Sequence, residues 1–174
     1  IGSNEFYIVV PKSDPAGISK ASSAADAYRQ ISSGARAFVS RGDNSGTHQK
    51  EMQIWKQAGV QPAGGWYIVT KDFMTASLKR ANAEGAYFMS DSSTWIMEKG
   101  VAPDLTILFR GDRFLVNTYH ALAAPVGATP GRDTAEKFIA YVASDAGQNL
   151  IRSYGRGQFG EGLYNDMRYA KQFD

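Results

Sequence analysis

A mixed α/β fold is predicted by three observations. Runs rich in β-branched and aromatic residues, such as residues 4–11 and 86–89, alternate with runs of helical spacing, such as residues 18–33 and 47–58. This alternation continues from one end of the chain to the other, which favours helices layered on a sheet over an all-α or all-β core. At 174 residues, 43% of them hydrophobic and 21% charged, the chain has enough apolar material for one ordinary domain or two small lobes.

The elements follow in order. Residues 4–11, ending on Pro11, read as a buried strand, and the Ser13-Asp14-Pro15-Ala16-Gly17 stretch as a turn. Ala21, Ala24, Ala25, Tyr28 and Ile31 lie at helical spacing and Gly34 supplies a stop, which predicts a helix over 18–33. A short strand is expected at 37–40. A second helix over 47–58 would place Met52, Trp55 and Ala58 on one face and end at Gly59. Residues 61–65 are a connector, 72–83 a third helix, 86–89 a strand, and 92–98 a short helix capped by Ser92 or Ser93. Two strands, 105–110 and 114–124, are expected to flank a hairpin turn at Gly111-Asp112. Helices over 133–144 and 145–154 close the pattern.

Composition excludes several classes. Nineteen Lys and Arg against 17 Asp and Glu leave a net charge of +2, with the charges dispersed, so the basic footprint of a nucleic-acid binder is missing. No apolar run approaches the roughly 18 residues that span a bilayer, so no membrane insertion is expected. The chain has no Cys, which removes disulfide frameworks, thiol catalysis and Cys-ligated metal centres. It opens on Ile1 rather than Met, so a processed or truncated chain is expected.

The chemistry concentrates in the run from Ser40 to His48. It passes from a predicted strand through a glycine-containing loop into a helix start, where amides lack intrahelical acceptors and the macrodipole is positive. Gly46 allows close approach to the backbone, Ser40, Ser45 and Thr47 carry hydroxyl donors, and Arg41 offers a guanidinium fork suited to an oxoanion. The same residues also suit a plain helix cap with Arg41 paired to Asp43.

The run Ser40-Arg41-Gly42-Asp43-Asn44-Ser45-Gly46-Thr47-His48, followed by Lys50-Glu51 and Trp55, resembles the signature of the tungstate-binding family of periplasmic binding proteins. Residues 4–18, Glu84-Gly85-Ala86-Tyr87, Ser90-Asp91 through Thr94, and Asn117-Thr118-Tyr119 resemble it too. The resemblance implies a type II binding-protein fold, two α/β lobes joined by crossover strands, that holds tungstate or molybdate in the cleft for an ABC transporter permease. On that map residues 12–116 form a complete lobe carrying the anion loop, and residues 1–11 and 117–174 supply the crossovers and a partial second lobe. The family's Thr- and Ser-rich second loop is expected upstream of Ile1. Ser40, Arg41, Ser45, Gly46 and Thr47 become the expected ligand contacts, with Asp43 and His48 behind them. No cofactor is implied, and the location would be periplasmic or secreted. One departure is the stretch Trp66 to Met74, which stands where the family has a glycine-rich turn.

Among oxoanions, tungstate and molybdate offer only acceptors, whereas a protonated phosphate can also donate to a carboxylate. Asp43 is the loop's only acid, so its orientation separates a tungstate or molybdate receptor from a phosphate one, with sulfate the further alternative. A binding-protein-like domain without a transport role is another. A serine hydrolase using Ser45 and His48 is the distant alternative, since no Gly-x-Ser-x-Gly elbow is present and the only other histidine, His120, is expected to pack in a crossing strand. No catalytic residue is expected. Bare cation binding lacks clustered carboxylates or His at ligand spacing. Arg-Gly-Asp at 41–43 and again at 110–112 reads as turn chemistry rather than adhesion, and Trp95 as core rather than a sugar platform.

Overall fold

The computed structural model describes residues 1–173, which divide into two compact units, Glu5–Leu115 and Ile1–Asn4 together with the chain from Val116 onward. The strand β1 (Gly2–Pro11) contributes to both.

In the larger unit β1 is followed by α1 (Ala24–Ser33), β2 (Phe38–Ser40), α2 (Gly46–Ala58), β3 (Tyr67–Val69), α3 (Met74–Glu84), β4 (Tyr87–Asp91), α4 (Ser92–Glu98) and β5 (Leu105–Phe109). The sheet order is β3-β2-β4-β1-β5. β2 runs parallel to β3 and β4, with Ser40 opposite Val69 and Phe38 opposite Tyr87, while β1 is antiparallel to β4 and β5. Because side chains alternate across a strand, Phe6, Ile8 and Val10 enter one core layer with Phe38, Tyr87 and Met89, against Tyr28 and Ile31 of α1 and Ile54 and Trp55 of α2. Val9, Val39 and Phe88 enter the opposite layer, against Leu78 and Ala81 of α3 and Trp95 of α4. Both sheet faces are covered, which is why these strands read as nearly continuous apolar runs. The carboxyl ends of β2, β3 and β4 share one edge, from which α2, α3 and α4 depart.

Several elements depart from the sequence reading. The helix expected over 18–33 begins at Ala24: Ile18–Lys20 is a separate 3-10 turn, and Ser23 caps α1 by accepting from the Asp26 amide at 3.1 Å. α4 is capped by Asp91, which accepts from the Thr94 amide at 2.9 Å, rather than by Ser92 or Ser93. On α2 the buried stripe is Glu51, Ile54, Trp55 and Ala58, and Met52 is exposed. The expected hairpin at Gly111-Asp112 does not form, since β5 pairs with β1 and not with the strand that follows. Asp112 instead accepts from the Ala24 amide at 2.7 Å and the Phe114 amide at 2.8 Å, which leads the chain into a 3-10 turn at Arg113–Leu115. β3 forms where the sequence predicts no strand.

The smaller unit holds β6 (Val116–Tyr119), α5 (Arg132–Ala143), α6 (Asp145–Ser153), α7 (Arg156–Phe159), β7 (Asn165–Asp166) and α8 (Met167–Ala170). The start of β1 pairs with β7, Gly2 opposite Asp166, and β6 also pairs with β1. Buried Gln148 ties the unit together: its amide nitrogen donates to the carbonyls of Ile1 at 3.0 Å and Val142 at 2.8 Å, and its oxygen accepts from the Met167 amide. Gly147 beside it has no room for a Cβ, which would stand 2.3 Å from the Tyr141 carbonyl oxygen. His120, expected to pack in a strand, lies beyond the end of β6 and is exposed. Among the described residues no helix is long and apolar enough to cross a membrane.

Candidate functional site

The site is the connection from β2 to α2, at the edge where the parallel strands end, the place open α/β sheets offer to ligands. Its turn depends on Gly42, whose φ of 59° lies in the left-handed region and whose Cβ, if present, would meet Val69 Cγ1 at 2.2 Å. Asn44 also adopts a left-handed φ of 60°, and its amide donates to His48 Nδ1 at 2.9 Å. Ser45 caps α2, its Oγ accepting from the His48 amide at 3.4 Å. The amides of Gly46 and Thr47 and the Thr47 hydroxyl have no acceptor or partner among the described residues.

Arg41 is held on two sides. Its Nε donates to the Asp72 carbonyl at 3.2 Å, and a terminal nitrogen pairs with Asp43 Oδ2. Since a guanidinium carries five N–H donors, the fork keeps donors beyond those two contacts. Asp43 turns back onto its own loop, with Oδ1 accepting from the Ser45 amide at 3.1 Å. Partial burial pushes its carboxyl up, but the Ser45 hydrogen bonds and the Arg41 guanidinium outweigh that and hold it below the usual carboxylate range. The loop therefore presents hydroxyls, amides and a guanidinium, while its one acid faces inward to its own donors.

Ser40 is placed differently from its expected role as a ligand contact. It is fully buried, and its hydroxyl donates to Glu51 Oε2 at 2.8 Å while accepting from the Gly42 amide at 3.2 Å. Its polar atom is thereby committed beneath the loop. His48 lies behind the loop with Nδ1 on the Asn44 amide, so its ring is engaged with backbone and Ser45 Oγ faces the helix start. This is capping geometry rather than a nucleophile with its base.

Glu51 and Tyr67 were missed as site residues. Glu51, 2% exposed, accepts from Ser40 on one oxygen and from Tyr67 Oη at 2.7 Å and Trp55 Nε1 at 3.2 Å on the other. Burial pushes its carboxyl up to about 7, against the three hydrogen bonds, and the nearby Asp43 charge adds to the rise. Burial and Glu51 together raise the Tyr67 hydroxyl. The signal was available, because an acid stands at 51 on the stripe completed by Ile54, Trp55 and Ala58. Trp66 and Tyr67 pack edge-on to Trp55, at centroid distances of 5.6 and 6.3 Å, and Trp95 is buried. Among the described residues no group of three or more His, Asp or Glu side chains is clustered to hold a metal ion.

Residues 1–146 of this α/β chain match the model of a family described as a PBP superfamily domain. The chain belongs to that superfamily and has its type II fold. The crystal structure described as that of the tungstate ABC transporter from Geobacter sulfurreducens is 40% identical, with a TM-score of 0.76, covering 88% of this chain and 66% of that one. The tungstate-binding protein TupA from Desulfovibrio alaskensis G20 is 32% identical, with a TM-score of 0.74, covering 95% and 68%. The curated tungstate-binding protein TupA of Peptoclostridium acidaminophilum is 31% identical over 167 residues, 92% of this chain and 57% of its own length. Within the superfamily, then, the family is TupA-like. The chain spans about half the length of the curated relatives it matches, from 46% to 58%.

Proposed function

We propose that this chain carries the oxoanion loop of a solute receptor for tungstate or molybdate, serving an ABC transporter permease outside the cytoplasmic membrane, and that it binds its anion without transforming it. The observation that carries the reading is the donor-rich face of residues 41–47. Asp43 spends its oxygens on Arg41 and the Ser45 amide, so an approaching anion meets a guanidinium, hydroxyls and amides and no uncommitted carboxylate. Arg41 supplies charge, Ser45 and Thr47 supply hydroxyls, and the unbonded amides of Gly46 and Thr47 supply the positive end of α2. Ser40 acts from below through the Gly42 amide, and Asp43 and His48 hold the loop's shape. The names of the relatives support the same ligand class. A phosphate site that reads its ligand's proton needs an acceptor aimed at the ligand, and the Asp43 oxygens are aimed at Arg41 and the Ser45 amide instead.

Calorimetric titration with tungstate, molybdate, sulfate and phosphate tests this. Tight binding of the first two with weak responses to the others is expected. Preference for phosphate or sulfate, or no binding at all, overturns the reading. Hydrolysis of an ester that is lost in both Ser45→Ala and His48→Ala would replace it with an enzyme.

A further inference from the structure

The oxoanion reading leaves a buried acid unexplained. Glu51 sits directly under the loop, and its hydrogen-bond partners are three neutral donors, Ser40 from β2, Tyr67 from β3 and Trp55 from its own helix. No Lys, Arg or His is among them. The titratable groups that face it electrostatically are Tyr67, Tyr28 of α1 and Asp43 of the loop, and none of them is a cation. A carboxylate in such surroundings lacks a counter-charge, and charges in a poorly screened interior act on one another strongly. It is also joined to the site by two hydrogen bonds. Glu51 Oε2 takes the Ser40 hydroxyl, and Ser40 Oγ takes the amide of Gly42, the residue beside Arg41.

We propose that Glu51 is a positioning residue of the oxoanion site which couples anion capture to proton uptake: it holds the Gly42 turn through Ser40, and its neutral form is favoured when a dianion occupies the loop. The inference rests on the oxoanion reading. The proton comes from solvent and adds to Oε2. That oxygen then donates to Ser40 Oγ in place of accepting from it. Ser40 Oγ has two lone pairs, so it accepts from Glu51 and keeps the Gly42 amide, and its own hydrogen is released from the carboxyl. The turn is kept while the negative charge beneath the anion disappears. Independently of the ligand, burial already raises this carboxyl to about 7, so it is part-protonated near neutral pH and a modest further push by the anion shifts it towards the neutral form.

The test is calorimetry of the full chain with sodium tungstate in buffers of different ionisation enthalpy, which counts protons taken up per anion bound. Near-neutral pH should show net uptake of a fraction of a proton per anion, and affinity about fivefold weaker at about pH 8.5 than at about pH 6. Glu51→Gln copies the protonated acid: its amide nitrogen donates to Ser40 and its oxygen accepts from Tyr67 and Trp55. This variant is expected to bind at all these pH values with the affinity of the wild type in acid and without the uptake. Difference infrared spectroscopy of the wild type supplies a reading that needs no variant, a protonated carboxyl band appearing on tungstate addition. Tungstate binding with no proton uptake, or the same uptake in Glu51→Gln, overturns the inference and leaves the oxoanion reading standing. Failure of the wild type to bind tungstate or molybdate overturns the oxoanion reading, and this inference with it.

Discussion

Gly42 shows how much a single position carries. Its left-handed φ and its approach to Val69 are separate demands, and only glycine meets both. Gly42→Ala is expected to lower stability by about 1 to 3 kcal/mol and to weaken anion binding. Adding Val69→Ala should recover the steric part and leave the conformational part, which denaturant midpoints of the two variants will separate. Arg41 lies at the other extreme, because its partners are a loop carboxylate and a backbone carbonyl rather than the core. Arg41→Ala should leave the denaturation midpoint nearly unchanged while tungstate affinity falls by about one to two orders of magnitude, the size of a lost charge-assisted hydrogen bond. At Glu51 the sign of the pH effect follows from burial. Its carboxyl rises from the usual 4.5 to about 7, so the folded chain holds a proton that the unfolded chain releases. Stability is therefore expected to fall as pH rises from about 4.5 to about 7, by about 2 to 4 kcal/mol, and Glu51→Gln should remove that fall.

Among the elements, α2 joins core and site. Its buried stripe fixes the helix against β2 and β3, and its first turn leaves two amides for a ligand. Ser45→Ala should cost about 1 kcal/mol of stability through the lost cap, and a further loss of affinity should appear by calorimetry. The helix was legible from its spacing and from Gly59, but its rotation was not. Met52 satisfies the same periodicity as Ile54, and only the packing of Trp55 against Tyr28 and Phe38, at centroid distances of 4.3 and 5.1 Å, turns Glu51 inward and Met52 outward. The turn at Gly111-Asp112 teaches a related lesson. Its residues suit a hairpin, yet pairing is decided by which edge is open, and β5 found β1. Asp112 was thereby freed to hold the start of α1. Asp112→Ala leaves the Ala24 and Phe114 amides without that acceptor and should cost about 1 to 3 kcal/mol, measured by equilibrium denaturation.

For the whole molecule, the two units differ in what they bury. Both core layers of the larger unit are lined by side chains from Phe6 to Leu115, whereas Leu163 and Ala170 are the buried apolar side chains of the smaller one among the described residues. A fragment covering Glu5–Leu115 is accordingly expected to unfold cooperatively in urea, and residues 116–174 alone to show no such transition. The net charge of +2 is small and dispersed, so the overall field offers an anion little attraction, and the proposed capture rests on residues 41–47.

The α/β class, most of the helices and the place of the β2–α2 loop followed from the sequence alone, because periodicity, glycine stops and helix-start chemistry are local and survive without knowledge of neighbours. Tertiary structure alone decided that β3 is a strand, that Asp43 faces its own loop, that Ser40 is buried and that Glu51 lies under the site without a counter-charge. Asp43 finds its partners close by, in Arg41 and the Ser45 amide, but the other outcomes depend on partners farther along the chain. Val69 and Tyr67 come from one strand, Asp72 from the loop after it, and burial itself requires the assembled sheet. A residue's type sets which bonds it can make; the fold decides which of them water is no longer there to make instead.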